Sequence, residues 1–295
     1  MIDYTNKKPS NILLADDGSP NMRPAILLLA DLPFSSECSV TALRVFTPLE
    51  GSEFSRVEAE AQKTTNLLKS RHFHFHSKLV QGYPADVILH YAGQFPPDLI
   101  VLGSKSTGTF GGMLGNVASS IVHHGKWPVL VVRGEYKGIR RVLLVTDGSP
   151  ASKYTCNYLR NFPIPQDALV EIMHVVLPVR ITYPVEPAGL ALPAISQEEE
   201  AQLNEQNNRR GRELLENEKI QLAWPGETKL VLRMGEPLDE ILKYAKTENI
   251  DLLVCGSRGA GNFTEWLMGS ISRELFRQAP CPVLVVRTPP PEVIK

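Results

Sequence analysis

The same unit is written twice in this chain, and that repetition limits its architecture more than any other feature. The run Asn11 to Ala15 ends in Asp16-Asp17-Gly18-Ser19-Pro20, and the run Val142 to Val145 ends in Thr146-Asp147-Gly148-Ser149-Pro150. Asp17 and Asp147 are 130 positions apart. Gly82 in VQGYP and Gly235 in RMGEP are 153 apart, as are Gly103 in DLIVLGS and Gly256 in DLLVCGS, while Pro128 and Pro282 before VLVV are 154 apart. A period this long is a duplicated domain, not a solenoid repeat. The change in interval places about twenty-three extra residues in the second copy, mostly within Leu177 to Ala194, a proline-rich apolar excursion.

With 295 residues the chain has room for two cores. In the first copy, apolar runs near Asn11 to Ala15, Ser39 to Phe46, His74 to Val80, Leu99 to Leu102 and Val129 to Val132 alternate with helix-length stretches. In the second the runs are Val142 to Val145, Val170 to Val176, Thr228 to Leu232, Leu252 to Cys255 and Val283 to Val286. Short apolar strands alternating with helices imply parallel sheets covered on both faces. The expected fold is α/β, two tandem doubly wound five-stranded domains, at 1–135 and 139–295, divided at Gly134 to Gly138. The terminal strands, Val129 to Val132 and Val283 to Val286, are the natural pair to meet across a pseudo-twofold, so the tandem would imitate a homodimer. After the insertion, Ser196 and Glu199 form a capping-box pattern opening a helix through Lys219, read as a solvated helix because its middle, QNNRRGR, is polar.

Composition excludes several classes. Hydrophobic residues make up 43% and charged residues 21%, as in ordinary globular chains. A net charge of −1, with no dense Lys/Arg cluster in either half, argues against a nucleic-acid partner. Met1 to Ser10 lacks the apolar core of a secretion signal, and the apolar run Ala25 to Ala30 is too short to cross a bilayer. A cytoplasmic protein without a membrane partner is expected. Cys38, Cys156, Cys255 and Cys281 show no C-x-x-C spacing and read as buried thiols. His72, His74 and His76 alternate with Phe73 and Phe75, a pattern open to a metal site but better suited to inward phenylalanines and outward histidines. His123-His124 reads as helix surface and Trp266 as packing.

Chemistry is concentrated after the fourth strand of the second copy. There Gly256-x-x-Gly259 is followed by nine residues and then Gly269-Ser270. This is neither a Walker loop nor G-x-G-x-x-G. A strand that feeds a glycine loop and then a helix N-terminus gathers backbone N–H groups and a positive dipole end, which suits phosphate. Asp147, the His174-Val175 step and this loop all follow strands, where open parallel sheets bind ligands. Asp147-Gly148-Ser149-Pro150 also reads as a turn and helix N-cap.

The two halves resemble tandem universal stress protein domains, on the Asp-Gly-Ser strand ends, His174-Val175, the DLIVLGS and DLLVCGS strands, the terminal Pro-Val-Leu-Val-Val strands and the glycine pattern. The resemblance implies an adenine nucleotide alpha hydrolase-like fold with strand order 3-2-1-4-5 and a site for ATP with Mg²⁺. By it, Thr146 and Asp147 meet the nucleoside, Val175 the adenine edge through its backbone, and Gly256, Arg258, Gly259, Gly269, Ser270 and Ser272 the ribose and phosphates. Ile271 contributes its backbone. It implies a nucleotide-dependent stress-response regulator with possible protein partners and a possible homodimer, and assigns no catalytic residue. The alternatives are a slow ATPase, for which Arg258 is the obvious cation, and a nucleotide-free interaction protein. The first half departs from the pattern: Ser106 stands where the second glycine belongs, Asn116 replaces the residue after Gly115, and the loop is one residue shorter. A weak or absent nucleotide site is expected there, with Gly108, Gly111 and Gly112 leaving room for a rearranged anion site.

Overall fold

The computed structural model describes residues 8–47, 54–104, 115–179, 196–259 and 268–289. Expectations for Ser106, Gly108, Gly111, Gly112, Trp266 and most of the 177–194 insertion lie outside the described residues. The first half contains β1 (Asn11–Ala15), α1 (Arg23–Asp31), β2 (Ser39–Phe46), α2 (Phe54–Leu68), β3 (His74–Gln81), α3 (Pro84–Gln94), β4 (Leu99–Gly103), α4 (Asn116–His124) and β5 (Val129–Val132). The second contains β6 (Arg141–Val145), α5 (Pro150–Asn161), β7 (Leu169–Val176), α6 (Gln197–Leu222), β8 (Thr228–Met234), α7 (Pro237–Thr247), β9 (Leu252–Gly256), α8 (Ser270–Gln278) and β10 (Val283–Val286).

The ten strands among the described residues form one sheet, ordered β3-β2-β1-β4-β5-β10-β9-β6-β7-β8. Every neighbouring pair is parallel except β5 and β10, which run antiparallel with Leu130 opposite Leu284. The two terminal strands therefore join the halves as their shared VLVV sequence suggests. Both are buried at every position, so each VLVV run faces apolar neighbours above and below the sheet. The outer strands β3 and β8 are partly exposed and carry Lys78, Lys229 and Arg233, which blunts the sheet edges. Arg133, just beyond β5, donates to the carbonyls of Arg277 and Ala279 at 3.1 Å each, capping the end of α8 in the other half.

The repeated Asp-Leu at the start of β4 and β9 has a structural role. One oxygen of Asp98 accepts from the Ser10 and Asn11 N–H groups at 2.9 and 3.1 Å, and one oxygen of Asp251 accepts from Arg140 and Arg141 at 2.9 Å each. Each carboxylate thus pins the start of its half's first strand. Helix entries are also written locally: Pro84, Pro150 and Pro237 occupy first-turn positions, where a missing N–H costs nothing. Ser149 caps α5 by accepting from the Ser152 N–H at 3.2 Å. The Ser196–Glu199 capping box is present, but α6 runs to Leu222, almost a turn beyond Lys219.

That helix is not merely solvated, because Gly211, Leu215, Glu218 and Leu222 are buried along one stripe. Gly211 lets α6 approach the sheet closely: a methyl group there would stand 2.7 Å from Cδ1 of Leu232, which would have to shift. His74 and His76 are exposed on β3, whereas His72 precedes the strand, and Phe73 is buried. Among the described residues no helix is long and apolar enough to cross a membrane. The four cysteines are free and buried. Burial pushes the thiols of Cys38, Cys255 and Cys281 up to about 12 and raises Cys156 as well, which disfavours thiolate chemistry.

Candidate functional site

A cavity of about 600 Å³ opens beyond the carboxyl ends of β6, β7 and β9. All ten residues expected at a site line it: Thr146 and Asp147 after β6, Val175 on β7, Gly256, Arg258 and Gly259 at and after β9, and Gly269, Ser270, Ile271 and Ser272 at the start of α8. Its apolar floor comes from Val145, Ile241, Met268 and Leu275, with Pro237 at the entrance of α7. An apolar slot leading to a polar end is the usual character of a small-molecule pocket.

Strand length explains the role available to Val175. The β6–β7 ladder ends with Val145 opposite Met173, and the Thr146 N–H donates to the Met173 carbonyl at 3.0 Å. Main-chain groups alternate sides along a strand, so Val175 turns its N–H and C=O the same way as Met173, into space that β6 no longer fills. Val176 faces the opposite way and accepts from the Gly235 N–H at 3.0 Å. A flat heterocycle beside β7 would therefore meet one donor and one acceptor on Val175.

The loop glycines serve different purposes. A methyl at Gly256 would stand 2.9 Å from Oγ1 of Thr155 on α5, so this glycine admits a helix. A methyl at Gly259 would stand 2.9 Å from Oδ2 of Asp147, so this one lets the loop close on the end of β6. At Gly269 the nearest protein atom would be 3.7 Å away, an ordinary contact, and the open side belongs to the cavity. Gly269 is the N-cap of α8 and has no side-chain acceptor for the first-turn N–H groups of Ser270, Ile271 and Ser272. Those donors and the helix dipole form the anion-favouring end of the cavity.

Several of the expected ligand side chains are also engaged internally. Ser272 is buried, and its hydroxyl donates to the Gly256 carbonyl at 2.7 Å, while the Gly269 N–H donates to the Ser257 carbonyl at 2.8 Å. These bonds tie α8 to the end of β9, so Ser272 offers the cavity chiefly its backbone. The Arg258 guanidinium donates to the Thr288 carbonyl, and burial lowers its pKa. Asp147 accepts from the Ser149 N–H through Oδ1 at 3.0 Å, which completes the expected turn. Its residue is exposed and its Oδ2 lies toward Gly259.

Behind Thr146 stands a residue that local sequence reading missed. Thr146 donates through Oγ1 to Oε1 of Glu218 at 3.1 Å, and both side chains are buried. His174 places Nδ1 2.9 Å from the Thr146 carbonyl. The first half has the same pair with the chemistry exchanged: Oδ2 of Asp16 accepts from Thr64 at 2.8 Å and from Arg44 at 2.6 Å. Asp16 and Arg44 precede Thr146 and His174 by 130 positions, and Thr64 holds the place in the buried stripe Ala61, Thr64, Leu68 of α2 that Glu218 holds in Leu215, Glu218, Leu222 of α6. Comparing the copies position by position is the signal that exposes this exchange.

His123 and Arg273 were also missed as cavity residues. His124 is exposed as expected of helix surface, whereas His123 is half-buried and lines the second half's cavity from α4 of the first half. No local pattern reports that approach, since it depends on how β5 and β10 pair. The first half has its own cavity of about 650 Å³ at the equivalent strand ends, lined by Asp16, Asp17, Val45, Gly103, Gly115 and Asn116. There Ala118 stands where the second half has Ser272, and Met22 where it has Ser152. A methyl at Gly103 would lie 2.5 Å from Sδ of Met22, so the thioether crowds the strand end.

Comparison with known proteins gives a consistent result. The model of the universal stress protein family matches residues 9–133 and again 138–287. A universal stress protein of Bacillus subtilis is 31% identical over 148 residues, covering 50% of this chain and 98% of that protein. One from Mycolicibacterium smegmatis is 29% identical over 198 residues, 64% of this chain and 61% of that protein. Among solved structures, a universal stress protein from Archaeoglobus fulgidus has a TM-score of 0.63 at 19% identity, covering 95% of this chain and 98% of that chain, a likeness of fold.

Proposed function

The chain belongs to the universal stress protein family, and from that premise we propose that its second half, at 139–295, binds ATP while the first, at 1–135, mainly supports it. The observation that carries this reading is the convergence of all ten expected residues on one cavity of about 600 Å³. Val175 offers its main chain to the adenine edge, Thr146 and Asp147 lie where the nucleoside would sit, and the N-terminus of α8 receives phosphates. Among the charged residues described around the cavity, Arg258 and Arg273 outnumber the carboxylate Asp147. That balance favours an anion.

Mg²⁺ fits as a partner of the nucleotide's phosphates, since this ion keeps several waters and is commonly held through substrate phosphates. The protein's part is to position base, ribose and phosphates. Binding itself is the function: occupancy stabilises the conformation that binds, which biases the partner surface of a cytoplasmic stress-response regulator. Native mass spectrometry of the freshly purified protein tests the reading. A retained adenine nucleotide supports it, and a different retained ligand overturns it.

A further inference from the structure

The helix α4 joins the two cavities. Its N-terminal residues Asn116, Val117 and Ala118 line the cavity of the first half, and His123 near its other end lines that of the second. Asn116 and His123 are seven helical steps apart, roughly 10 Å along the axis. The second cavity is therefore built by both halves. His123 shares it with Arg273 of α8, whose charge reaches the imidazole and whose guanidinium also donates to the Met268 carbonyl at 3.4 Å.

Resting on the nucleotide reading above, we propose that His123 contacts the phosphate end of a nucleotide bound in the second half and takes up a proton as the nucleotide binds. The groups around it give the reason. Burial and the charges of Arg273 on α8, Arg287 beyond β10 and His124 on its own helix all favour the neutral imidazole and lower its pKa. The helix α3 meets α4 through an apolar cluster that includes Ile88, Ala92, Ile121 and Val122. A polyanion entering between His123, Arg273 and the α8 N-terminus reverses that balance. It screens the two guanidinium charges and gives the imidazolium a partner.

The sign follows from linkage. A group whose pKa is low in the free protein and higher in the complex binds a proton on complex formation, so affinity rises as pH falls through the interval between the two values. Adenosine carries no phosphate and should show no such dependence. The first half thus acts on the ligand directly, through one side chain.

Calorimetric titration of the full chain with Mg-ATP and with adenosine, from about pH 8 to about pH 6 in two buffers of different ionisation heat, tests this. Wild type should gain about tenfold in Mg-ATP affinity over the range, with net proton uptake. His123→Gln should lose that gain and the uptake while keeping its adenosine affinity, and the nucleotide's own titration, common to both proteins, cancels in the comparison. His123→Lys, with a fixed charge, should keep tight Mg-ATP binding but flatten its pH dependence. Proton uptake unchanged in His123→Gln overturns the inference and leaves the nucleotide site standing. Wild type that binds no Mg-ATP at any pH overturns both.

Discussion

Oδ2 of Asp147 lies 2.9 Å from where a side chain at Gly259 would begin. A side chain at position 259 would therefore displace the Asp147 carboxylate or the loop after β9 from their present approach. Their contact brings the proposed nucleoside and phosphate ends of the cavity together.

Gly259→Val should push this loop away from Asp147 and weaken ATP binding by at least about tenfold, or ~1.4 kcal/mol. The core strands lie elsewhere, so the thermal midpoint should move little. Calorimetry and thermal denaturation on the same samples check both halves of the prediction. Unchanged affinity would show that the close approach has no part in binding.

The buried Thr146–Glu218 pair predicts an asymmetric stability effect. Thr146→Val leaves the Glu218 carboxylate without its hydroxyl donor, and Oε2 of Glu218 already has no hydrogen-bond partner among the described residues. The cost should be ~1–3 kcal/mol in urea unfolding. Replacing both groups removes the stranded acceptor, so Thr146→Val with Glu218→Leu should recover part of the loss. Strictly additive effects would contradict the coupling.

Glu171 on β7 gives a pH prediction. It is fully buried, and although burial acts to raise its pKa, hydrogen bonds from Tyr244, Arg141 and Lys229 outweigh this and hold it below the ordinary 4.5. Arg141 approaches at 2.6 Å and Lys229 at 3.1 Å. A depressed carboxyl pKa means that the unfolded chain binds more protons, so this stabilisation is present above about 4.5 and is lost as pH falls through the folded value. Glu171→Gln should be less stable at neutral pH and should lose part of the acid-side slope below about 4.5 in pH-dependent unfolding. An identical slope in both proteins would assign the acid sensitivity to other groups.

Strands and helix starts were legible because their causes are local. Leu99 to Leu102 and Leu252 to Cys255 are buried throughout, so they read as continuous apolar runs, and Pro84, Pro150, Pro237 and the Ser196–Glu199 box mark helix entries within a few residues. The β5–β10 junction was legible only through the duplication. What escaped depends on distant partners: Glu218 is a polar residue in a polar helix until Thr146, seventy-two positions away, gives it a donor. The Asp98 and Asp251 pins, the Glu171 cluster and the reach of His123 into the other half are of the same kind. Gly211, one letter of the polar QNNRRGR middle of α6, lies in the buried stripe close to Leu232.

The central claim is one competent nucleotide site per chain, in the second half. Isothermal titration with Mg-ATP measures it most directly. A stoichiometry near one is predicted, abolished or strongly weakened by Asp147→Ala and left at one by Ser106→Gly, because the first loop is also one residue short. Two sites per chain, or no binding at millimolar ATP, would contradict the account.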